Sequence, residues 1–343
     1  MRRSPVQPKA NSEPQATATV DGELKTAASP GQRLALVNSQ GVRYLDFRKS
    51  LRPRYRVVWA QILGGHLGLA TLIVLALLIP ADAVFVGALA TLLIAALLGL
   101  CHSYIHNFFH EATHFNLAAD RARNDLLANL FIGSLVGQNI ANYRRVHFDH
   151  HKFLGTTRDT ERTYFEPLDA RFLLESITGI RAVRVLLGRE QRLDQTQVER
   201  HARWPLLLGL TLHAAVVGSA AVAHAWFLVA AWILGLAVFF PFFSGLRQLL
   251  EHRSEAAAST TDYALVDHGE TNRMFRAGPL AAIIGSAGFT RHLLHHWDPQ
   301  VSCTRLGDVE RFLGDTELAA TLAANRTSYL ETFRRLYTTE PRK

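Results

Sequence analysis

The chain has 343 residues, a formal net charge of +8 and only two cysteines. The cysteine count excludes a disulfide framework or an iron–sulfur cluster as the basis of the fold. The positive charge does not indicate nucleic-acid binding, because no basic helix is interleaved with exposed aromatic residues. The length would suit about two soluble domains, but the apolar residues are concentrated in two long blocks.

The segment before the first block is polar. Residues 1–33 are rich in Pro, Ala, Ser and Gln and lack the apolar core of a signal peptide, which predicts a disordered tail. The basic run DFRKSLRPRYR, residues 46–56, leads into the first block. A basic run at this place favours contact with anionic head groups at the membrane surface.

The two apolar blocks predict four transmembrane helices. Residues 57–100 contain no Lys or Arg and one acidic residue, Asp82, and residues 205–246 contain no Lys, Arg, Asp or Glu. A helix needs about 20 residues to cross a bilayer, so each block is long enough for a hairpin. The helices are predicted at roughly 57–79, 84–101, 205–222 and 226–244. The predicted fold is all-α: an integral membrane protein with four transmembrane helices in two hairpins and a cytoplasmic, histidine-rich cap.

The charge distribution predicts the orientation. All 37 Lys and Arg residues lie outside the two blocks, so the turns near Pro80 and Ala223 carry no positive charge. By the positive-inside rule, both termini and the central polar region are predicted to be cytoplasmic.

The remaining segments are assigned by length and periodicity. The apolar stretch LLANLFIGSLVG, residues 126–137, is too short to cross and is predicted to lie at the interface or to re-enter the membrane. Residues 34–306 are predicted to form the membrane domain. Residues 307–343 are predicted to form a cytoplasmic segment with the periodicity of a helix pair.

Four short histidine motifs fall on one side of the predicted membrane. They are HEATH at 110–114, HFDHH at 147–151, EHR at 251–253 and HLLHH at 292–296. Residues four apart lie on one helix face, and in each HxxHH motif the first and fourth histidines are predicted to share a face. A lone histidine is more often an ordinary core or surface residue, but the repeated spacing favours metal binding.

The number of histidines predicts two metal ions. Imidazole suits zinc, copper, iron and nickel, and about nine ligands exceed the four that a single zinc takes. Iron is favoured because it supports redox chemistry on an inert substrate. The predicted ligands are His110, His114, His147, His150, His151, His252, His292, His295 and His296.

Several histidines leave alternatives open. His102 and His106 continue the four-residue spacing of HEATH toward the membrane, but the helix face drifts too far for one site to use all four. His106 is therefore a candidate for an additional ligand or a neighbour of one, and His102 for interfacial packing. His268 could replace His252, which is favoured because it directly follows a membrane helix.

Other residues have a role that the sequence leaves undecided. Glu111, Asp149 and Asp298 lie in or beside the motifs and either orient ligand imidazoles or are solvated charges or helix caps. FFPFF, residues 239–243, either lines an acyl channel or belongs to an interfacial aromatic belt.

The motifs HEATH, RRVHFDHHKFLGTTRD, LRQLLEHR and RHLLHHWDPQV together resemble the integral-membrane fatty acid desaturase and hydroxylase superfamily, from about residue 55 to residue 306. The resemblance implies a four-helix membrane body with a cytoplasmic di-iron site. It also implies that dioxygen is the co-substrate and that a separate protein donates two electrons to attack an unactivated C–H bond. WDPQ stands where familiar acyl desaturases more often have Phe-Pro or Tyr-Pro, which leaves the substrate open.

The predicted function is desaturation of a lipid acyl chain. The alternative is a hydroxylase or ketolase acting on a lipid or isoprenoid. A histidine-rich metal transporter is disfavoured, because transporters place their ligands near the bilayer midplane. The sequence has no HPGG-type cytochrome b5 segment and no cysteine cluster, so an external donor such as a ferredoxin, a rubredoxin or a cytochrome b5 system is expected.

The predicted orientation can be tested with reporter fusions at residue 20 and residue 343. Both reporters should indicate the cytoplasm, because the charge asymmetry places both termini there. Signals from opposite sides would mean an odd number of spans and would divide the histidine motifs between the two sides of the membrane.

Overall fold

A computed structural model of the chain describes residues 35–80, 84–184, 203–255 and 265–338, together with Arg33, Asp82, Thr261 and Tyr263. The predicted N-terminal tail, apart from Arg33, lies outside the described residues. In chain order the helices are α1 (Tyr44–Ser50), α2 (Tyr55–Leu77), α3 (Val84–Thr113), α4 (Arg121–Ala128), α5 (Ile140–Phe153), α6 (Ala170–Ile177), α7 (Trp204–Val222), α8 (Trp226–Leu234), α9 (Phe240–His252), α10 (Pro279–Ile284), α11 (His292–Trp297), α12 (Leu306–Leu313), α13 (Ala319–Ala324) and α14 (Tyr329–Thr338).

The prediction of an all-α protein with four membrane-length helices is confirmed. The helices long and apolar enough to cross a membrane are α2, α3, α7 and the continuous stretch Trp226–His252. In that stretch a π-helical turn, Gly235–Phe239, joins α8 to α9. Strand is limited in the described residues to β1 (Met274–Phe275) and β2 (Arg326–Thr327), which pair in parallel.

Two of these helices extend well past the apolar blocks. The second helix was expected to end near residue 101 and continues to Thr113, and the fourth was expected to end near residue 244 and continues to His252. The only proline or glycine between the predicted and the observed ends of these two helices is Gly245, in the fourth helix. As a result, α3 carries His110 and α9 carries His252 on rigid helices.

α3 is the centre of the helix packing, with α2, α8 and α9 all against it. Glycines permit the close approaches: a Cβ on Gly99 would lie 2.4 Å from the Cβ of Phe239, and one on Gly65 would lie 2.6 Å from Cγ1 of Ile105. Small residues at helix contacts are the usual way for membrane helices to approach closely. The outer faces expose large apolar side chains such as Phe85, as expected of helices that face lipid.

The apolar stretch 126–137 is helical. It comprises the end of α4, a π-helical turn Asn129–Gly133 and a final turn Ser134–Val136, and it packs against α3 and α7. The contact with α7 is very close, since a Cβ on Gly209 would lie 2.0 Å from the carbonyl oxygen of Ser134. The stretch therefore forms a wall beside the membrane helices.

The C-terminal segment has three described helices, α12, α13 and α14, and not the expected pair, because the helical run is interrupted after Leu313 and again at Asn325. α12 packs against α11. Phe312 of α12, Trp297 of α11 and Tyr44 of α1 belong to one hydrophobic cluster. The third histidine motif, HLLHH, is thus packed between one helix from the N-terminal part of the described chain and one from the C-terminal part.

Candidate metal centre

The structure brings the nine predicted histidine ligands together at the ends of the membrane helices. They come from α3, α5, α9 and α11, and they form two groups in which the possible ligand atoms lie within 4.8 Å of one another. The five-histidine group contains His110, His114, His147, His151 and His295, and the four-histidine group contains His150, His252, His292 and His296.

The division of each HxxHH motif differs from the expectation. The first and fifth histidines share a group, as His147 and His151 do, and the fourth, His150, belongs to the other group. The first and fourth histidines, which were predicted to share a helix face, therefore belong to different groups. Positions four apart on a helix differ in direction by about 40° and positions three apart by about 60° in the opposite sense. The fourth and fifth histidines can consequently point to two neighbouring sites.

The ring nitrogens within each group converge. In the five-histidine group, Nε2 of His147 lies 3.1 Å from Nε2 of His114 and 2.9 Å from Nε2 of His151. Nε2 of His151 in turn lies 3.0 Å from Nε2 of His295. In the four-histidine group, Nε2 of His292 lies 2.9 Å and 3.1 Å from the Nε2 atoms of its two neighbours, His252 and His296.

Hydrogen bonds at the other ring nitrogen fix the tautomers of three rings. Nδ1 of His147 donates to Oε1 of Glu161 at 2.9 Å, and Nδ1 of His150 donates to Oδ1 of Asp159 at 2.9 Å. Nδ1 of His252 donates to the carbonyl oxygen of Thr271 at 3.0 Å, because a carbonyl can only accept. In the neutral ring, Nε2 then carries a lone pair. The lone pairs on Nε2 of His147 and His252 therefore point at the Nε2 atoms of His151 and His292, which are 2.9 Å away in both cases.

This arrangement fits metal ions. Two nitrogens at about 2.1 Å from one ion are about 3.0 Å apart at a right angle and about 3.4 Å apart in a tetrahedron, which matches the observed separations of 2.9 to 3.1 Å. Both ring nitrogens of His110 are buried without a hydrogen-bond partner among the described residues. A cation in the five-histidine group would bind one of these atoms together with the lone pair on Nε2 of His147.

The electrostatics also favour neutral imidazoles at most positions. Burial lowers the pKa of His114, His151 and His295 well below the usual value, and neighbouring histidines lower it further. His150 is different: burial lowers its pKa, but Asp159 and Glu161 outweigh burial and raise the pKa to about 9. A metal ion at this ring must therefore displace a proton.

The carboxylates that hydrogen-bond to the rings are not the three candidates named from the sequence. Glu111 accepts from the backbone N–H of Cys303 at 3.0 Å, Asp149 is exposed, and Asp298 accepts from the Tyr44 hydroxyl at 2.9 Å. Of the two roles left open for these three residues, the orienting role is therefore not observed. Asp159 and Glu161 take that role because the chain after α5 folds back over the helix. Asp159 ends the motif RRVHFDHHKFLGTTRD, so its position in that motif was a signal in the sequence.

The three histidines left open in the sequence lie outside both groups. Nδ1 of His102 hydrogen-bonds to the carbonyl oxygen of Leu98 at 2.8 Å, and His106 lines a cavity. The ring of His268 stacks on Tyr263 with centroids 3.8 Å apart. Tyr164 contacts both His268 and His252, at 5.4 Å and 5.1 Å between centroids.

A cavity of about 620 Å³ adjoins the histidine groups. α7, α9 and residues 134–138 line one part of it with apolar side chains such as Leu206, Leu210 and Phe240. The part nearest the histidines is lined by Glu161 and Gln248, which hydrogen-bond to each other at 2.7 Å. From FFPFF, the cavity lining includes Phe240 and Pro241.

Four membrane-length helices, with buried histidine groups at their ends and a largely apolar cavity beside them, define a class of membrane protein that could act on lipids at a metal site. A family model, fatty acid desaturase, matches residues 87–327, and the chain belongs to that family. The resemblance seen in the motifs is thereby confirmed, and the family is iron-dependent. No curated protein matches the chain.

The choice between His252 and His268 can be tested by alanine substitution. His252→Ala should lower bound iron and abolish activity, because the ring lies in the four-histidine group at the end of a rigid helix. His268→Ala is the matched control and should retain most of both. Iron analysis of the two purified variants is the measurement, and the reverse pattern would transfer the ligand role to His268.

Proposed function

We propose that the protein is a membrane-bound di-iron enzyme that uses dioxygen to desaturate a lipid acyl chain. The observation that carries the proposal is the pair of histidine groups with converging ring nitrogens beside a largely apolar cavity. We assign the nine histidines as the ligands of two iron ions. Two bound iron ions would activate dioxygen, with two electrons from a donor, for attack on an unactivated C–H bond.

The residues around the ions have defined tasks in this proposal. Glu161, Asp159 and the Thr271 carbonyl hold three imidazoles in the tautomer that exposes Nε2. The cavity volume of about 620 Å³ lies within the range of about 300–1,000 Å³ that is usual for small-molecule sites. Leu206, Leu210 and neighbouring apolar residues exclude water around a chain.

One feature favours a second candidate, a hydroxylase or ketolase of the same family. The part of the cavity near the histidines is polar, with Glu161, Gln248, Ser244 and Thr163 in its lining. Oγ1 of Thr163 is buried without a hydrogen-bond partner among the described residues. A substrate or product that carries oxygen near the reacting carbon would find partners there. A metal transporter is not favoured, since the histidine groups lie at helix ends.

Product mass separates the two candidates. Desaturation removes two hydrogens from the substrate, and with two electrons and two protons it reduces dioxygen to two waters. Hydroxylation inserts one oxygen atom and releases one water. Lipids from cells that express the protein should contain a species lighter by two hydrogens, and His295→Ala should abolish it. A gain of one oxygen would assign the hydroxylase, and unchanged lipids from iron-loaded protein would contradict both.

The electron donor is proposed to bind at an arginine-lined pocket on the cytoplasmic side. Arg54, Arg291, Arg311 and Arg326 line a pocket of about 590 Å³ that holds two carboxylates, Asp308 and Glu310. The excess positive charge suits an acidic carrier. Arg291 directly precedes His292 of the four-histidine group, so a carrier bound there would lie close to the metal site.

The double substitution Arg54→Glu, Arg311→Glu should raise KM for a reduced ferredoxin at least about tenfold and weaken its salt dependence, because docking charges are reversed. kcat at saturating ferredoxin and the iron content should change little. Arg123→Glu, an exposed position on α4 outside the pocket, is the control. Equal KM values for all three proteins would place the docking surface elsewhere.

A further inference from the structure

Glu251 is a buried carboxylate beside the four-histidine group. It lies in the last turn of α9, next to His252, and its side chain is fully buried. Oε2 accepts from Nη1 of Arg247 at 2.5 Å and lies 4.0 Å from Nε2 of His292. Oε1 is buried without a hydrogen-bond partner among the described residues. One oxygen of this carboxylate is therefore satisfied and the other is not.

Such an atom is costly unless something binds it. A buried acceptor without a partner costs about 1–3 kcal/mol, and more when it is charged. Arg247 balances the charge of Glu251 but leaves Oε1 without a donor. The guanidinium lies 3.7 Å from the ring centroid of Phe289, which stacks on His292 at 4.9 Å. The ion pair is therefore fixed against the histidine group, where a cation would supply what Oε1 lacks.

The two histidine groups differ in the number of donors. One has five imidazoles and the other has four. A dication surrounded only by neutral imidazoles in a buried place keeps its full charge, and a carboxylate ligand would reduce that charge. Carboxylates beside histidines are common ligands of non-haem iron.

We propose that Glu251 is the fifth donor of the four-histidine site. The proposal rests on metal binding, which is part of the proposed function. Two donors at about 2.1 Å from one ion are separated by about 3.0 Å at a right angle and about 4.2 Å when opposite. Oε2 of Glu251 lies 4.0 Å from Nε2 of His292, within this interval, and Oε1 of the same carboxylate is the oxygen without a donor. Glu251 lies outside the group whose ligand atoms are within 4.8 Å of one another, so its carboxylate must move toward the ion to bind it. Arg247 then holds the carboxylate in place and also lines the large cavity.

The test is a titration of metal-free protein with cobalt(II), whose absorption spectrum distinguishes four from five ligands. Glu251→Gln, which keeps the volume but removes the charge, should weaken one of two sites at least about tenfold and convert its spectrum to that of a four-coordinate ion. Wild-type protein should take up two ions. Unchanged affinity and spectrum in Glu251→Gln would overturn the proposal, as would wild-type protein that binds no metal.

The control is Glu111→Gln. Glu111 is also a fully buried glutamate beside a motif histidine, but its carboxylate accepts from the N–H of Cys303 and the hydroxyl of Ser302. This variant should bind two ions with the wild-type spectrum. If both glutamine variants lose the same site, the effect comes from loss of a buried carboxylate in general, and Glu251 is not a ligand.

A double variant separates a ligand from an ion-pair partner. If Glu251→Gln weakens the site only because it leaves the buried Arg247 charge without its ion-pair partner, then adding Arg247→Gln should restore metal binding. If Glu251 is a ligand, the double variant should stay as weak as the single one. Because cobalt binding needs no turnover, two-site binding without any oxidised lipid would refute the proposed function and leave the Glu251 assignment standing.

Discussion

Buried imidazole nitrogens that face one another at about 3 Å are not solvated by water, so each lone pair needs a proton or a cation as its partner. Nε2 of His147 and Nε2 of His252 carry lone pairs, because the Nδ1 atoms of these rings donate to Glu161 and to the Thr271 carbonyl. A bound cation would accept these lone pairs together with those of the neighbouring rings. The end of the helix bundle is therefore arranged around charge that the metal ions would supply, and the surrounding fold can be understood as the means of holding these rings in place.

The membrane helices hold the histidine rings in place by extending past the apolar blocks. α3 continues without interruption from the predicted span to Thr113, and α9 ends at His252. A histidine on such an extension is fixed by the same packing that fixes the membrane part. α11 is only six residues long, and its rigidity comes from elsewhere. Asp298, just after it, accepts from Tyr44 and Arg48, and Trp297 packs on Tyr44 at 4.5 Å between centroids.

Much of this could be predicted from the sequence because it depends on local pattern. Long apolar blocks without Lys or Arg predict the four helices, and the repeated histidine motifs predict that nine histidines converge, although not how they divide between the two groups. The failures concern contacts made across turns. Asp159 and Glu161 reach α5 only because the loop after Phe153 folds back, and no periodicity describes such a loop. Glu111 looked suitable by position, yet its side chain points to Cys303.

The cavity is connected to the histidine groups through one side chain. None of the nine histidines is among the lining residues of the cavity in the described part of the chain, whereas Glu161 and Gln248 are. Glu161 accepts from Gln248 with one oxygen and from Nδ1 of His147 with the other. A substrate that displaced Gln248 would therefore change the hydrogen bonding of the carboxylate that orients His147. In the proposed function, substrate binding and the orientation of His147 would be coupled at this point, because a single buried carboxylate contacts both the cavity and the ring.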